Sequence, residues 1–174
     1  KGVQLRRGEG KWQALDQGGS LRSGDQLRAS RQGGAVRVEQ GLVYLGPSDK
    51  ATVDQGLVAM SSGQVLIEGQ ALRLKTPFGV IEVDGEALVE IKSSRLAVVV
   101  LIGSARLHHG EGLSLDANQR VTVTKRGYGK VSRLARRGLA PKWVDSIRRE
   151  LKPRNQPKNP GGGRRQPPGG GGTN

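Results

Sequence analysis

The chain has 174 residues and a formal net charge of +14, with 34% hydrophobic residues, 3% aromatic residues and no cysteine. The lack of cysteine excludes disulfides and thiolate metal sites, and the scarcity of aromatic side chains means that Val, Leu, Ile and Ala must form the core. No apolar run approaches the roughly 18 residues that a membrane-spanning helix needs.

The positive charge is concentrated toward the C-terminus. Residues 125–174 carry 14 of the 29 Lys and Arg but only two of the 15 Asp and Glu, and so hold +12 of the net charge. The first 124 residues are nearly neutral at +2. The high isoelectric point therefore describes a polycationic appendage and not a face of the folded body.

Residues 1–124 predict one all-β domain. Short runs of alternating apolar and polar residues are separated by glycines at intervals of roughly 6–10 residues. GAVRVEQGLVYLG contains two such runs around Gln40-Gly41, and in ALRLKT the apolar Leu72 and Leu74 alternate with charged residues. This spacing predicts a short-stranded two-sheet sandwich or roll, or a solenoid-like domain, although no strict repeat period is present.

Two later segments give more specific predictions. TPFGVIEVDGEALVEI, residues 76–91, predicts a hairpin with a tight turn at Asp84-Gly85, because both residues tolerate positive φ. Thr76-Pro77 would start its first strand, where a missing N–H does no harm. LAVVVLI, residues 96–102, lacks alternation and predicts a central strand that is covered on both faces.

The C-terminal part divides into three segments. Residues 125–139 form a basic connector, and residues 140–152 predict a short amphipathic helix that starts at Ala140-Pro141. Trp143, Ile147 and Leu151 recur at i, i+4 and i+8, so they share one stripe, and we expect Trp143 to dock the helix on the β domain. Residues 153–174 are rich in Pro, Gly and Arg and predict a disordered tail.

Several short, glycine-based motifs follow one another in residues 2–124. A first element, "G..L..GD.L.T", is matched by Gly19, Leu21, Gly24, Asp25 and Leu27. A second, "G.A.L.L..G..V.LGP.T", is matched by Gly34, Ala35, Val36, Val38, Gly41, Val43, Leu45, Gly46 and Pro47. A third, "TP.G...V.GT.F.V", is matched by Thr76, Pro77, Gly79, Val83, Gly85 and Val89. Two later segments follow, LAVVVLIGSARL around Gly103 and LSLDANQRVTV. In this order the motifs resemble the periplasmic domain of the FecR family of iron-dicitrate transport regulators, whose closing strands match the two later segments. The resemblance covers about residues 2–124.

The chain also departs from that family. Gly85-Glu86-Ala87-Leu88 lacks the Thr and the aromatic residue of "GT.F", and Asn118 stands where glycine is usual. The family's transmembrane helix and anti-sigma segment have no counterpart in these residues, so sigma-factor regulation is not carried over. The resemblance implies a non-enzymatic binding, scaffold or sensing module that contacts envelope proteins. It also implies a periplasmic or cell-surface location, with a secretion signal removed before Lys1.

Residues that could carry chemistry are few. His108-His109 with Glu111 is the one cluster suggestive of a metal, but adjacent side chains on a strand point to opposite faces. No cysteine nucleophile, Gly-x-Ser-x-Gly elbow or phosphate-binding loop occurs, so we expect neither enzyme activity nor a cofactor. An envelope enzyme acting on glycan is the least favoured hypothesis. Trp12 either caps one end of the core or stacks on a carbohydrate.

The basic C-terminal part is the candidate site for an anionic ligand. In a cell envelope the ligand would be an anionic polymer or lipid, whereas the alternative function is nucleic-acid binding by phosphate neutralisation. A solvated tail without a specific ligand is the third interpretation. The candidate contacts are Lys125, Arg126, Lys130, Arg133, Arg136, Arg137, Arg148, Arg149, Arg164 and Arg165.

Overall fold

The computed structural model describes residues 2–15, 20–134 and 140–151. These residues form 14 strands and one helix. The elements are β1 (Val3–Arg6), β2 (Gln13–Ala14), β3 (Gln26–Ala29), β4 (Gly34–Val38), β5 (Gly41–Leu45), β6 (Lys50–Asp54), β7 (Leu57–Ala59), β8 (Gly63–Thr76), β9 (Gly79–Lys92), β10 (Arg95–His108), β11 (Leu113–Asp116), β12 (Gln119–Thr124), β13 (Gly127–Tyr128), β14 (Ser132–Arg133) and α1 (Lys142–Leu151). The predicted all-β class with one short C-terminal helix is confirmed, and the predicted tail lies outside the described residues.

The strands join into one open mixed sheet. Its main path runs β13-β12-β10-β9-β8-β7-β6-β3-β1-β2, with β11 added to β10, β14 to β12, and the β4–β5 hairpin to β8. The β7–β8 pairing is parallel, and the other pairings are antiparallel. Inward side chains from both ends of this path belong to one apolar core, so the open sheet curls around that core as a roll.

The three long strands β8, β9 and β10 each have 14 residues and form the spine of the roll. The first half of β8 pairs with β5, whereas its second half pairs with β7. A bulge between Gly69 and Leu72, and another between Val100 and Ile102, mark the change from one half to the other. An extra residue reverses the alternation of a strand, so apolar side chains stay on the inner face beyond each bulge.

A row of directly paired glycines crosses the sheet at these bulges: Gly41, Gly69, Gly85 and Gly103. We call it the glycine row. A Cβ on Gly85 would overlap the Ile102 carbonyl oxygen, and one on Gly103 would overlap the Asp84 carbonyl oxygen. Neighbouring backbones thus approach more closely here than a side chain would allow, which lets the spine bend.

The predicted hairpin turn at Asp84-Gly85 is wrong. Residues 79–92 form the single strand β9, and Gly85 takes its positive φ of 123° inside that strand as part of the glycine row. The actual turn lies at Pro77, between β8 and β9, where the Thr76 hydroxyl donates to the Gly79 carbonyl oxygen at 2.8 Å. Thr76 therefore ends a strand and does not start one.

Residues 96–102 lie in β10, between β9 and β12. Leu96, Val98 and Val100 face the core, whereas Val99 and Leu101 pack under α1 on the other face. Both faces are covered over residues 96–101, as predicted, whereas Ile102 is 61% exposed. Within the described residues, α1 is the one helix, and its ten residues are too few to cross a membrane.

Candidate functional site

Helix α1 lies on the outer face of the sheet, across β5, β8 and β10. Val144 and Ile147 are buried against Tyr44, Leu66 and Leu101. The helix starts next to Pro141, whose carbonyl oxygen accepts the Val144 N–H at 2.9 Å, and its basic last turn suits the negative end of the helix dipole. Trp143 is partly buried in the same cluster and contributes to docking the helix.

A charged cluster anchors the end of this helix. Glu68 on β8 and Glu86 on β9 are direct cross-strand neighbours, an arrangement that destabilises a sheet when both carry the same charge. The Arg148 guanidinium donates to one carboxylate oxygen of each at 2.8 Å. The Glu86 side chain is only 9% exposed, so Arg148 supplies the counter-charge for a buried carboxylate.

Tyr44 completes the cluster. Its hydroxyl donates to Glu68 at 3.1 Å, and the Arg148 guanidinium lies 5.4 Å from the centre of its ring. Burial raises the pKa of the Tyr44 hydroxyl above its usual value, and the hydrogen bond from Arg148 opposes that rise. Burial alone would lower the pKa of Arg148, but its hydrogen bonds to Glu86 and Glu68 outweigh burial and raise it.

Strand β4 has an open edge. Of the strands in the described part of the chain it pairs with β5 alone, through a two-residue turn that closes on Val38 and Gly41. In such a hairpin Val38 and Val36 bond toward β5, so the N–H and C=O groups of Ala35 and Arg37 point outward. Among the described residues, no backbone group hydrogen-bonds to the outer side of Ala35–Val38.

A groove adjoins the start of this edge. A cavity of about 270 Å³ lies between the start of β4 and the last turn of α1. We call it the β4–α1 groove. Its walls include Gly33 and Ala35 on the strand side and Ile147 and Leu151 on the helix side. The Leu151 side chain is 45% exposed there, so the groove offers an apolar wall beside unpaired backbone groups.

The structure separates the predicted anion contacts. Lys125, Arg126, Lys130 and Arg133 are exposed beyond or along β12, and Arg149 is exposed on α1. Arg148 instead forms ion pairs with two carboxylates of its own chain, Glu68 and Glu86. Four predicted contacts lie outside the described residues, namely Arg136, Arg137, Arg164 and Arg165.

In the His108-His109 pair, which was the one cluster suggestive of a metal, His109 packs against Tyr128. The His109 ring meets the Tyr128 ring edge-on, with centroids 5.8 Å apart, and the Tyr128 hydroxyl donates to the His109 carbonyl oxygen at 2.6 Å. No group of three or more metal-ligating side chains occurs in the described parts of the chain.

Sequence reasoning missed the charged cluster and the β4–α1 groove. The Glu68–Glu86 pair depends on the register of the two 14-residue strands β8 and β9. The predicted turn at Asp84-Gly85 interrupted β9 and so hid this pairing. One signal was present: Arg148 follows Val144 by four residues, so it lies on the buried face of the helix. The free edge of β4 depends on which strand lies beside it, and alternation within one strand carries no such information.

Comparisons with known proteins bear on the fold. No protein-family model matches the chain, and no curated protein matches it. Two crystal structures, at 2.50 and 1.65 Å, are similar in fold, and both are described as "a putative anti-sigma factor from Parabacteroides distasonis ATCC 8503". Each has a TM-score of 0.50 and 16% sequence identity, over 63% of this chain. The match spans 58% of the length of those chains, and at this identity it shows a shared fold alone.

Proposed function

We propose that this chain is a non-enzymatic binding module of a sensing or regulatory system at the bacterial cell envelope, of the FecR type. Two findings support this proposal. The FecR-like motifs span residues 2–124, and the fold is shared with crystal structures described as an anti-sigma factor. A periplasmic or cell-surface location and an envelope protein as partner belong to the same proposal.

The observation that carries the proposal is the open edge of β4 beside the β4–α1 groove. A partner segment adds to β4 as a further strand, and the outward N–H and C=O groups of Ala35 and Arg37 supply the main-chain hydrogen bonds. Alternate side chains of the added strand face the groove, where Leu151 and Ile147 offer apolar contacts. This mode needs no catalytic group and is compatible with a small cavity whose lining is part apolar and part polar.

The basic C-terminal part has an accessory role in this proposal. Lys125, Arg126, Lys130 and Arg133 continue into a segment whose charge attracts an anionic envelope polymer or lipid surface. The same +12 charge of residues 125–174 is the observation that favours nucleic-acid binding as the second candidate function. The two differ in salt dependence and in sensitivity to nuclease.

Crosslinking in intact cells tests the proposal. The full chain and a version ending at Leu151, the last described residue, are compared for the proteins they capture. We expect both versions to recover the same envelope protein, with nuclease treatment having no effect. Recovery that depends on residues 152–174, or material that is nucleic acid alone, would contradict the proposal and assign the function to the tail.

A further inference from the structure

A second groove crosses the outer face of the sheet on the other half of the roll. Its floor is a straight row of directly paired residues, Gln26, Thr52, Ala59 and Lys75, on β3, β6, β7 and β8. Thr52 and Ala59 are small and leave a depression between longer side chains. The resulting cavity has a volume of about 440 Å³ and is walled by Trp12. We call it the Trp12 groove.

The indole of Trp12 is held in place before any ligand arrives. The guanidinium carbons of Arg6 and Arg28 lie 4.9 and 4.6 Å from the ring centre. Gln26 accepts from Arg6 at 3.2 Å, and Gln4 accepts from Arg28 at 2.7 Å, so both cations are themselves fixed. A ring fixed in this way loses little conformational entropy when a ligand stacks on it.

The Trp12 end of the groove carries unbalanced positive charge. Arg28 on β3 and Lys50 on β6 are direct cross-strand neighbours, an arrangement that is unfavourable for two cations. Lys50 lines the cavity, whereas Arg28 packs against the Trp12 ring that walls it. Within residues 2–15, 20–134 and 140–151, neither has a carboxylate partner. A bound anion between them would relieve the repulsion. At the other end, Lys75 and Asp54 form an ion pair at 2.6 Å and present both donors and an acceptor.

We propose that the Trp12 groove binds an acidic pyranose sugar, a hexuronate unit of a glycan. The sugar ring lies against the indole, its carboxylate lies against Lys50, and its hydroxyls bond to Thr52 and the Asp54–Lys75 pair. The cavity is large enough for one or two sugar rings.

The groove favours a sugar over single-stranded nucleic acid. A nucleic-acid channel uses successive aromatic platforms along a continuous cationic track. Here Trp12 is the one indole or phenyl ring in the lining, and the Asp54 carboxylate lies among the lining residues. The proposal is independent of strand addition at β4, because the two grooves share no lining residue.

Fluorescence titration of the full chain tests the site. Trp143→Phe leaves Trp12 as the one indole, because the chain has two tryptophans. Galacturonate is the probe, with galactose as the uncharged analogue and octathymidylate as the nucleic-acid probe, at 0.15 M salt. We expect a Kd of about 1 mM for a ligand of this size, if each non-hydrogen atom contributes about 0.3 kcal/mol of binding free energy.

The proposal expects a saturable change in Trp12 fluorescence with galacturonate and at least tenfold weaker binding of galactose. Lys50→Gln weakens galacturonate binding at least tenfold, whereas the matched control Lys130→Gln, which removes an exposed charge elsewhere, changes it less than twofold. Trp12→Ala abolishes binding measured by calorimetry, with folding of each variant checked by circular dichroism.

Three results would overturn the assignment. They are the absence of saturable binding up to about 20 mM, equal affinity for galactose and galacturonate, and equal effects of Lys50→Gln and Lys130→Gln. Octathymidylate binding that requires Trp12, without galacturonate binding, would assign the groove to nucleic acid instead.

Discussion

Replacing Arg148 by methionine removes the counter-charge from two opposed glutamates and keeps a long side chain on α1. The Glu86 side chain is only 9% exposed, and loss of one partner from a buried ion pair costs about 3–5 kcal/mol. The Arg148 side chain is 30% exposed and Glu68 is 43% exposed, so the contact with Glu68 contributes at most about 1 kcal/mol and the larger figure is reduced by solvent screening. We expect Arg148→Met to lower the free energy of unfolding by about 2–4 kcal/mol at neutral pH.

Urea denaturation followed by circular dichroism measures this loss. Arg149→Met is the matched control, because Arg149 is exposed and donates to the backbone carbonyl oxygen of Asp145 at 3.2 Å. The control costs less than about 0.5 kcal/mol. Adding Glu86→Gln to Arg148→Met removes the unpaired buried charge and recovers at least about 1 kcal/mol. Equal stability of the two methionine variants, or no recovery with Glu86→Gln, would refute the reasoning.

Three further predictions concern stability. Gly103→Ala, whose Cβ overlaps the Asp84 carbonyl oxygen at a φ of 75°, lowers the free energy of unfolding by more than about 3 kcal/mol, whereas Gly56→Ala, with open space at a φ of 81°, costs about 1 kcal/mol in the same urea series. Equal costs would remove the close approach as the cause. Burial raises the pKa of the Asp49 carboxyl, so the folded state favours the protonated form of this group. The resulting stabilisation is fully present below about pH 3.8 and is lost as pH rises and the buried carboxyl ionises. Asp49→Asn therefore raises the melting temperature at pH 7 but not at pH 3, and a gain that is the same at both pH values would count against this cause. Among the described residues, the buried Trp143 indole N–H has no acceptor, so Trp143→Phe changes stability by less than about 1 kcal/mol, and a loss above about 2 kcal/mol would contradict that account.

The sequence contained enough information for the fold class, because alternation and glycine spacing are local signals. Gly24 and Asp25, which match the first motif, lie just before β3, and the Asp25 carboxylate accepts the Arg22 N–H at 2.9 Å. The helix could be predicted for the same reason, since Val144 and Ile147 follow helical spacing and are both buried. In each case a few neighbouring residues decide the conformation.

The error at Asp84-Gly85 shows where local signals fail. Asp-Gly favours a turn, but every second residue keeps facing the core on both sides of it, which fits one long strand. These core residues are Ile81, Val83, Ala87, Val89 and Ile91. Gly85 is required by the backbone of the neighbouring strand and not by a turn. A glycine that serves close approach and a glycine that serves a turn are identical in sequence, and only the register of distant strands separates them.

The candidate site was harder to predict from the sequence than the fold. The charged cluster joins residues 62 and 80 positions apart in sequence, and the open edge of β4 depends on the path of the whole sheet. The side chains of the Trp12 groove come from five separate segments. Such constellations arise from tertiary pairing, which no single segment encodes.

The central claim is that a partner adds a strand to the open edge of β4, and a backbone substitution there tests it most directly. Arg37→Pro removes an outward N–H and leaves the inward bonds of the β4–β5 hairpin in place, whereas Arg37→Ala removes the same side chain and keeps the N–H. We predict that capture of the envelope partner, measured by crosslinking, falls at least tenfold for Arg37→Pro and less than twofold for Arg37→Ala, with unchanged melting temperatures. Equal capture by the two variants would show that the edge of β4 is not the recognition surface.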